Sequence, residues 1–463
     1  MPRDSSLPSL AGDVHARLAK IFLAALVVRW GYALAIYSIM GDAGLMGPDS
    51  VAFYSILKDY AGAIVRSEVH GWSWIGPDVQ LMPLYTWLLT SSILVGGTFG
   101  PILYVFVQGL FDAGTCVLVY LLAAALHERY ALPTAIFAVI NPTQIVVSGL
   151  IYHDTPFVFF AALFLLASIL WLRRPSWTLA LVIGAALGCG ALFRILVGLW
   201  LPVHFGLLLA GTLMLGNLRW RTIGQIVSAA VIACLLISPV FLRNGLQYGA
   251  WTLTAQGGTH LAIWVAPLVR EAKDGTLWQQ GAADILRRTA ERFGPTPANP
   301  FEASRQLEIV GREALRELGV FAVAKAWFNG VAVNLGSPAV VLSPPVAALP
   351  RTGFYGTPGI TFPEKVFNFL FRSDNARYAQ WLLAGIVGLI AVRLVQLIGL
   401  WTAWRDGTDR ISLALLAVWV CYILAINGPV GSPKYRLPIE PPLMVLTGAG
   451  WRGLRTGWQQ RKA

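Results

Sequence analysis

The sequence predicts an all-α polytopic membrane protein, and three observations predict it. Only 13% of the 463 residues are charged, while 56% are hydrophobic; soluble domains carry roughly 25% charged residues. The mean hydropathy is +0.63. Apolar runs of about twenty residues, the length that crosses a hydrocarbon layer, recur along the whole chain. A soluble chain of this length has too little interior to hide so much apolar surface.

About ten such runs can be placed, at 18–40, 101–125, 130–150, 155–172, 177–193, 195–215, 223–241, 380–403, 410–427 and 438–452. The short connections then sort by charge. Arg129, the pair Arg173 and Arg174, Arg219 with Arg221, Arg405 with Arg410, and the tail Arg452, Arg455, Arg461 and Lys462 all fall on the side of Arg3, Arg17 and Lys20. The positive-inside rule makes that side cytoplasmic. Two further apolar stretches, 82–99 and 320–341, would raise the count to eleven or twelve. Making both of them spans would move Arg173 and Arg174 outside, so they read as membrane-surface or re-entrant helices. The net charge of +12 is thereby accounted for by loops and anionic headgroups, without nucleic acid. Ala33-Leu34-Ala35 resembles a signal-peptide cleavage site, yet Arg29 and Trp30 interrupt the run and it continues past a normal h-region, so an uncleaved anchor is expected. The four cysteines, Cys116, Cys189, Cys234 and Cys421, lie inside apolar segments without metal-site spacing and read as small core residues.

Three parts follow: residues 1–241, a transmembrane module with a first outer loop at 41–81; residues 242–379, an outer-face insertion; and residues 380–463, further transmembrane helices with a basic cytoplasmic tail. Within the insertion, stretches 282–292 and 302–318 are charged and helical. Arg305, Glu308, Arg312, Glu313, Arg316 and Glu317 recur at spacings of three to four, the pattern of a solvated helix face. Pro and Gly density at 294–300 and 336–359 marks irregular loops.

Candidate chemistry collects on the outer face. Asp49, in Pro48-Asp49-Ser50, follows the first span and precedes an amphipathic stretch, Val51 to Ile64, that contains Tyr54. Ser50 is the expected N-cap, and a carboxylate near a helix N-terminus stays ionised, as a general base or cation ligand requires. Asp49 could equally be a plain capping residue. Asp154, in Tyr152-His153-Asp154-Thr155-Pro156, starts another span; it is either an N-cap or an interfacial charge with a function. Opposite these acids stand Arg194, Arg243, Lys434 and Arg436, cations whose outer placement runs against the charge bias. A phosphate ligand explains them, as does snorkelling to headgroups. His260 sits in the Gly-rich Gln256-Gly257-Gly258-Thr259-His260. Arg29, inside the first span, is expected to pair with Asp112 in the second. The sequence contains no P-loop, no Gly-x-Ser-x-Gly and no His-Glu-x-x-His.

In this order the segments Pro48-Asp49-Ser50 through Tyr54, Pro83 to Gly97, Asn141-Pro142 through Asp154, Gly184 to Arg194, Arg243-Asn244, Gly257 to Leu261 and Tyr435-Arg436-Leu437-Pro438 resemble the GT-C superfamily of integral-membrane glycosyltransferases. The resemblance is to the dolichyl-phosphate-mannose protein mannosyltransferases and the bacterial lipid A aminoarabinose transferases. It implies sugar transfer from a polyprenyl-phosphate donor to a lipid, glycan or protein acceptor on the outer face. It implies catalytic roles for Asp49 and Asp154, and substrate binding by Tyr54, Arg194, Arg243, His260, Lys434 and Arg436. Many members carry two adjacent acids in the first loop where this chain has Asp49-Ser50. That departure leaves a metal requirement open; lipid phosphate is a reasonable leaving group, so no cofactor is required, and a divalent cation is possible. The compact length favours a bacterial inner membrane with the site facing the periplasm, with an ER membrane and a luminal site as the alternative. The alternative is a secondary transporter or flippase, which would use paired charges and broken helices at mid-bilayer.

Overall fold

Away from water a backbone must satisfy its own polar groups, and a helix does so within one segment. The apolar runs accordingly fold as helices. The structure, a computed structural model, describes residues 12–350, 354–372 and 376–460, and no strand occurs among the described residues. The helices are α1 (Gly12–Met40), α2 (Ser50–Val65), α3 (Pro83–Gly96), α4 (Gly100–Leu126), α5 (Glu128–Val139), α6 (Pro142–Ser148), α7 (Asp154–Arg173), α8 (Trp177–Phe193), α9 (Leu196–Met214) and α10 (Trp220–Tyr248). Then come α11 (Gln256–His260), α12 (Ala266–Asp274), α13 (Trp278–Phe293), α14 (Pro300–Leu318), α15 (Val320–Gly336), α16 (Pro344–Ala347), α17 (Phe362–Phe367), α18 (Ala376–Arg405), α19 (Arg410–Asn427), α20 (Pro433–Arg436) and α21 (Glu440–Gln460).

Each of the segments expected to span the membrane is helical. By length and composition, seven helical segments among the described residues qualify as spans, or nine if each of two bent pairs counts as one. The difference from ten has local causes. α5 and α6 form one expected span bent by 46° at Ile140-Asn141, where Pro142 opens α6. α8 has 17 residues, just short of a full crossing, and α21 is diluted by Glu440 and its basic end. The second bent pair, α14 and α15, turns through 103°, so α15 is not the continuation of a straight span. α3 is about 21 Å long at 1.5 Å per residue. The chain reverses after it at Gly97, whose φ of 54° is cheap only for glycine, and α3 folds back on α4 until the Tyr85 and Tyr104 rings lie 5.9 Å apart.

α7 is the most enclosed span, packed between α4 and α8, with Phe157, Phe164 and Trp171 buried. Lipid offers apolar side chains no less than protein does, so helices associate through close backbone approach and polar contacts. α18 and α21 show the first: a Cβ on Gly399 would lie 1.8 Å from the Leu446 carbonyl oxygen. Of the cysteines, Cys116 is a core residue, whereas Cys234 and Cys421 are exposed on the outsides of their helices, where the sequence reading had them in the core. α13 and α14 pair through Arg288–Glu317 at 2.7 Å and Arg292–Glu313 at 2.8 Å, so their charges are a solvated, cross-linked surface.

Mid-bundle, the expected Arg29–Asp112 pair is present at 2.7 Å, with side chains 1% and 3% exposed. Gln144 donates to the other Asp112 oxygen at 2.8 Å, and Arg29 also donates to the carbonyls of Ala138, at 2.9 Å, and Val139. Removing one partner of such a pair leaves a buried charge. Arg29→Met is therefore expected to destabilise the protein by about 3–5 kcal/mol, and Arg29→Met with Asp112→Leu to recover most of that loss. Unfolding in detergent, followed by intrinsic fluorescence, checks both.

Candidate active site

Three segments far apart in sequence meet at the end of the bundle remote from Arg17, Asp406 and Arg452. The first is Gly47-Pro48-Asp49-Ser50. Ser50 does not cap α2 as expected; it is the first helical residue. Its hydroxyl donates to the Ile151 carbonyl at 2.6 Å and accepts the Gly47 N–H at 3.0 Å. With Ile151 N–H donating to the Leu45 carbonyl at 2.8 Å, these bonds tie the first loop to the α6–α7 connection. Asp49 holds the N-cap position, yet its side chain caps nothing. Its carboxylate instead accepts from the Lys434 ammonium at 2.5 Å and keeps 41% of the side chain exposed.

The second segment is Tyr152-His153-Asp154. Asp154 opens α7 and is fully buried. One oxygen accepts from Arg194, which ends α8 in an extended conformation; the other is buried without a hydrogen-bond partner. The Arg194 guanidinium also lies over the rings of Phe157 at 5.8 Å and Tyr435 at 5.7 Å. The third is α20, capped by Ser432, whose hydroxyl accepts the Lys434 N–H at 3.3 Å. Lys434 Nζ lies 4.7 Å over the Tyr152 ring and 5.1 Å over Tyr435, positions that favour a cation. Tyr104 fixes the floor by donating to the Tyr152 carbonyl at 2.8 Å.

Two carboxylates and two cations thus alternate across one small region. Burial alone would lower the Lys434 pKa, but Tyr435, Asp154 and Asp49 raise it, so the ammonium persists. Burial pushes His153 down to about 4, more than Asp154 lifts it, leaving the ring neutral; it packs on Tyr85 with centroids 5.3 Å apart. His260, at the end of α11, is lowered by burial and by the charge of Arg194, which puts it at the edge of the same region.

The remaining predicted residues lie elsewhere. Tyr54 is half-buried one turn into α2, where burial and the Asp42 charge raise its phenol pKa. Arg243 is buried near the end of α10; it donates to the Asn244 side chain at 2.9 Å, and its Nη2 has no partner. The acidic neighbour of Arg243 is Asp78, rather than Asp49 or Asp154. Arg436 faces away from Lys434 and is bonded to Glu440 at 2.6 Å, the Asn334 and Ser337 carbonyls at 2.9 and 2.8 Å, and Thr143 at 2.8 Å. Sequence reasoning missed Tyr152 and Tyr435 as partners of Lys434; both adjoin candidates, and adjacency was the available signal. Among the described residues no group of three or more His, Cys, Asp and Glu side chains converges as a metal site. Asp49 and Asp154 each already face a cation, and the Ser50 hydroxyl is committed to Ile151.

The fold and this region define an all-α membrane protein with a charged site at one end of its bundle. Among solved structures the chain is similar to the Archaeoglobus fulgidus oligosaccharyltransferase crystallised with Zn and sulfate, with a TM-score of 0.53, 13% identity, and coverage of 96% of this chain and 50% of that one. It is likewise similar to AglB from Archaeoglobus fulgidus in complex with an inhibitory peptide and a dolichol-phosphate, with a TM-score of 0.52, 14% identity, and coverage of 94% and 49%. ArnT from Cupriavidus metallidurans in the apo state matches with a TM-score of 0.42, 15% identity, and coverage of 95% and 78%. The chain spans about half the length of the archaeal enzymes it matches. The likeness is one of fold. No family model matches the sequence, and no curated protein does.

A Cβ at Gly47 would lie 1.9 Å from the Tyr152 hydroxyl. Gly47→Ala is thus expected to cost about 1–3 kcal/mol by overpacking, read as a lowered melting temperature. His153 yields a pH signature. Its folded-state pKa of about 4 lies below the unfolded value of roughly 6.5. The unfolded chain then binds a proton first as pH falls, so stability declines from about pH 6.5 toward 4. His153→Gln should flatten that part of a melting-temperature profile.

Proposed function

We propose that this chain is a membrane glycosyltransferase that moves a sugar from a polyprenyl-phosphate donor to an acceptor hydroxyl. The observation that carries the reading is the meeting of Asp49, from the first loop, with Lys434, from the last, beside the Asp154–Arg194 pair. Asp49 is spared from capping and open to solvent, as a group that meets a solute must be. In the proposed reaction the acceptor O–H gives its proton to Asp49 as its oxygen attacks the anomeric carbon. The bond from that carbon to the phosphate oxygen breaks with inversion, and polyprenyl phosphate departs. Lys434 and Arg194 stabilise the charge growing on the leaving oxygen.

Asp154, buried behind Arg194, acts as a positioning residue that aims the guanidinium, and the neutral rings of His153 and His260 shape the site without adding charge. A phosphate is a competent leaving group with two cations beside it, so the scheme routes no step through a metal. The complex of AglB with dolichol-phosphate supports a lipid-linked donor, and the charge bias of the loops supports a site on the outer face of the membrane. The sealed Arg29–Asp112 pair weighs against a transporter, which would keep such charges accessible at mid-bilayer.

With purified protein in nanodiscs, radiolabelled polyprenyl-phosphate sugars and a membrane extract as acceptor source, Asp49→Asn is expected to lower transfer by about 10²–10⁴-fold, the contribution of a general base. Turnover that survives Asp49→Asn intact would remove the base assignment. Arg194→Lys keeps the charge and loses the fork geometry, so it is expected to reduce kcat more than it raises KM for the donor.

A further inference from the structure

On the side of α20 turned away from Lys434, a cavity of about 490 Å³ opens between α5, α18 and α21. Its walls are mostly apolar, with Phe137, Ile140, Trp381, Leu389 and Met444 among them. Three charged side chains also line it: Arg393, Arg436 and Glu440. Glu440 is fully engaged, with one oxygen accepting from Arg436 at 2.6 Å and the other from Asn141 at 3.0 Å. Arg393 has no acid of its own among the described residues. It donates to the Leu335 carbonyl at 3.0 Å and to Gln396 at 2.5 Å, and its Nη2 is buried with no partner.

Two cations and one anion leave the cavity with a single net positive charge, and Arg393 sits in α18, a helix long and apolar enough to span the membrane. An unmatched charge with an unmet donor is costly there. A ligand supplying one negative charge and an oxygen acceptor would remove both defects, and an apolar chain would fill the remaining volume. We infer that this cavity is a lipid-binding site that takes a singly charged phosphodiester head against Arg393, with the lipid's chain in the apolar part. The guanidinium fork suits phosphate oxygens. Two lipid sources share that chemistry, a polyprenyl-phosphate sugar and an ordinary anionic phospholipid. The inference rests on the cavity and its charges and does not depend on the glycosyl-transfer reading.

Native mass spectrometry of the full chain in detergent, titrated with dioleoylphosphatidylglycerol, a polyprenyl-phosphate hexose or dioleoylphosphatidylcholine, tests it. Two variants separate the parts. Arg393→Gln removes the charge. Gly388→Leu fills the cavity from α18, where an added Cβ meets nothing within 4 Å, so the variant is expected to fold; melting temperatures without lipid verify this for both. Both are expected to weaken binding of at least one of the two net-anionic lipids by about tenfold or more. The lipid bound more tightly identifies the source. Equal retention of phosphatidylcholine, or unchanged affinity in two folded variants, would overturn the assignment. Because the readout is binding, it stands or falls separately from any transfer assay.

Discussion

A charge inside a bilayer has no bulk water to turn to, so it needs a partner close by, and this requirement organises much of the bundle. Arg29 meets Asp112 across 83 residues of sequence, Arg194 meets Asp154 across 40, and Lys434 meets Asp49 across 385. Apolar contacts alone would tolerate many helix rotations, because lipid satisfies leucine as well as another helix does. The polar pairs are less forgiving. The first sets α1 against α4, the second sets the start of α7 against the end of α8, and the third brings the first loop under α20. The same demand explains why Ser50 gives its hydroxyl to Ile151 instead of capping α2: the α6–α7 turn has a carbonyl there to satisfy, and the loop is held in place by doing so.

Exposure then sorts these pairs by role. Arg29 and Asp112 are sealed, with Gln144 and two backbone carbonyls completing their bonds, which is the profile of architecture. Asp154 is closed off from solvent, but its unpartnered oxygen and its contact with Arg194 leave it able to steer a side chain that is itself 10% exposed. Asp49 alone among these acids keeps a substantial accessible surface. The order from closed to open runs along the bundle axis, from mid-membrane to the far end. Chemistry on a solute belongs at the open end of that series.

The helical runs were legible because hydrophobic length is a direct physical requirement, and the Arg29–Asp112 pair was legible because two opposite charges in successive apolar segments have few other partners. The bends were harder. Nothing in the run 130–150 except Pro142 announces the 46° turn between α5 and α6, and the reversal at Gly97 depends on a positive φ that the residue type permits but does not demand. Pairing within the site was mostly hidden. Arg194 and Arg436 read as free cations awaiting phosphate, because in one dimension neither Asp154 nor Glu440 could be matched to them. Glu440 lies four residues after Arg436, a helical spacing that signals an ion pair, but Pro438 between them made the helix uncertain. Arg393 was illegible as a binding residue, since its side of α18 faces a cavity that only the packing of α5 and α21 creates.

α20 joins the two regions. It is a single turn, and residues two apart on a helix point in nearly opposite directions, so Lys434 reaches Asp49 while Arg436 reaches Glu440 and the cavity. Glu440 begins α21, and Asn141 lies at the bend between α5 and α6, so the cavity's ion pair and the site's ion pair hang on the same short piece of backbone. In the proposed reaction Lys434 has two anionic claims on it, the Asp49 carboxylate at rest and the donor phosphate once bound. A phosphate that draws the ammonium away leaves Asp49 with an unshared oxygen facing solvent. The oxygen that would take the proton is then free when the donor is in place, and held by its lysine when it is not. That ordering requires no movement of helices, only a shift of one flexible side chain between two partners.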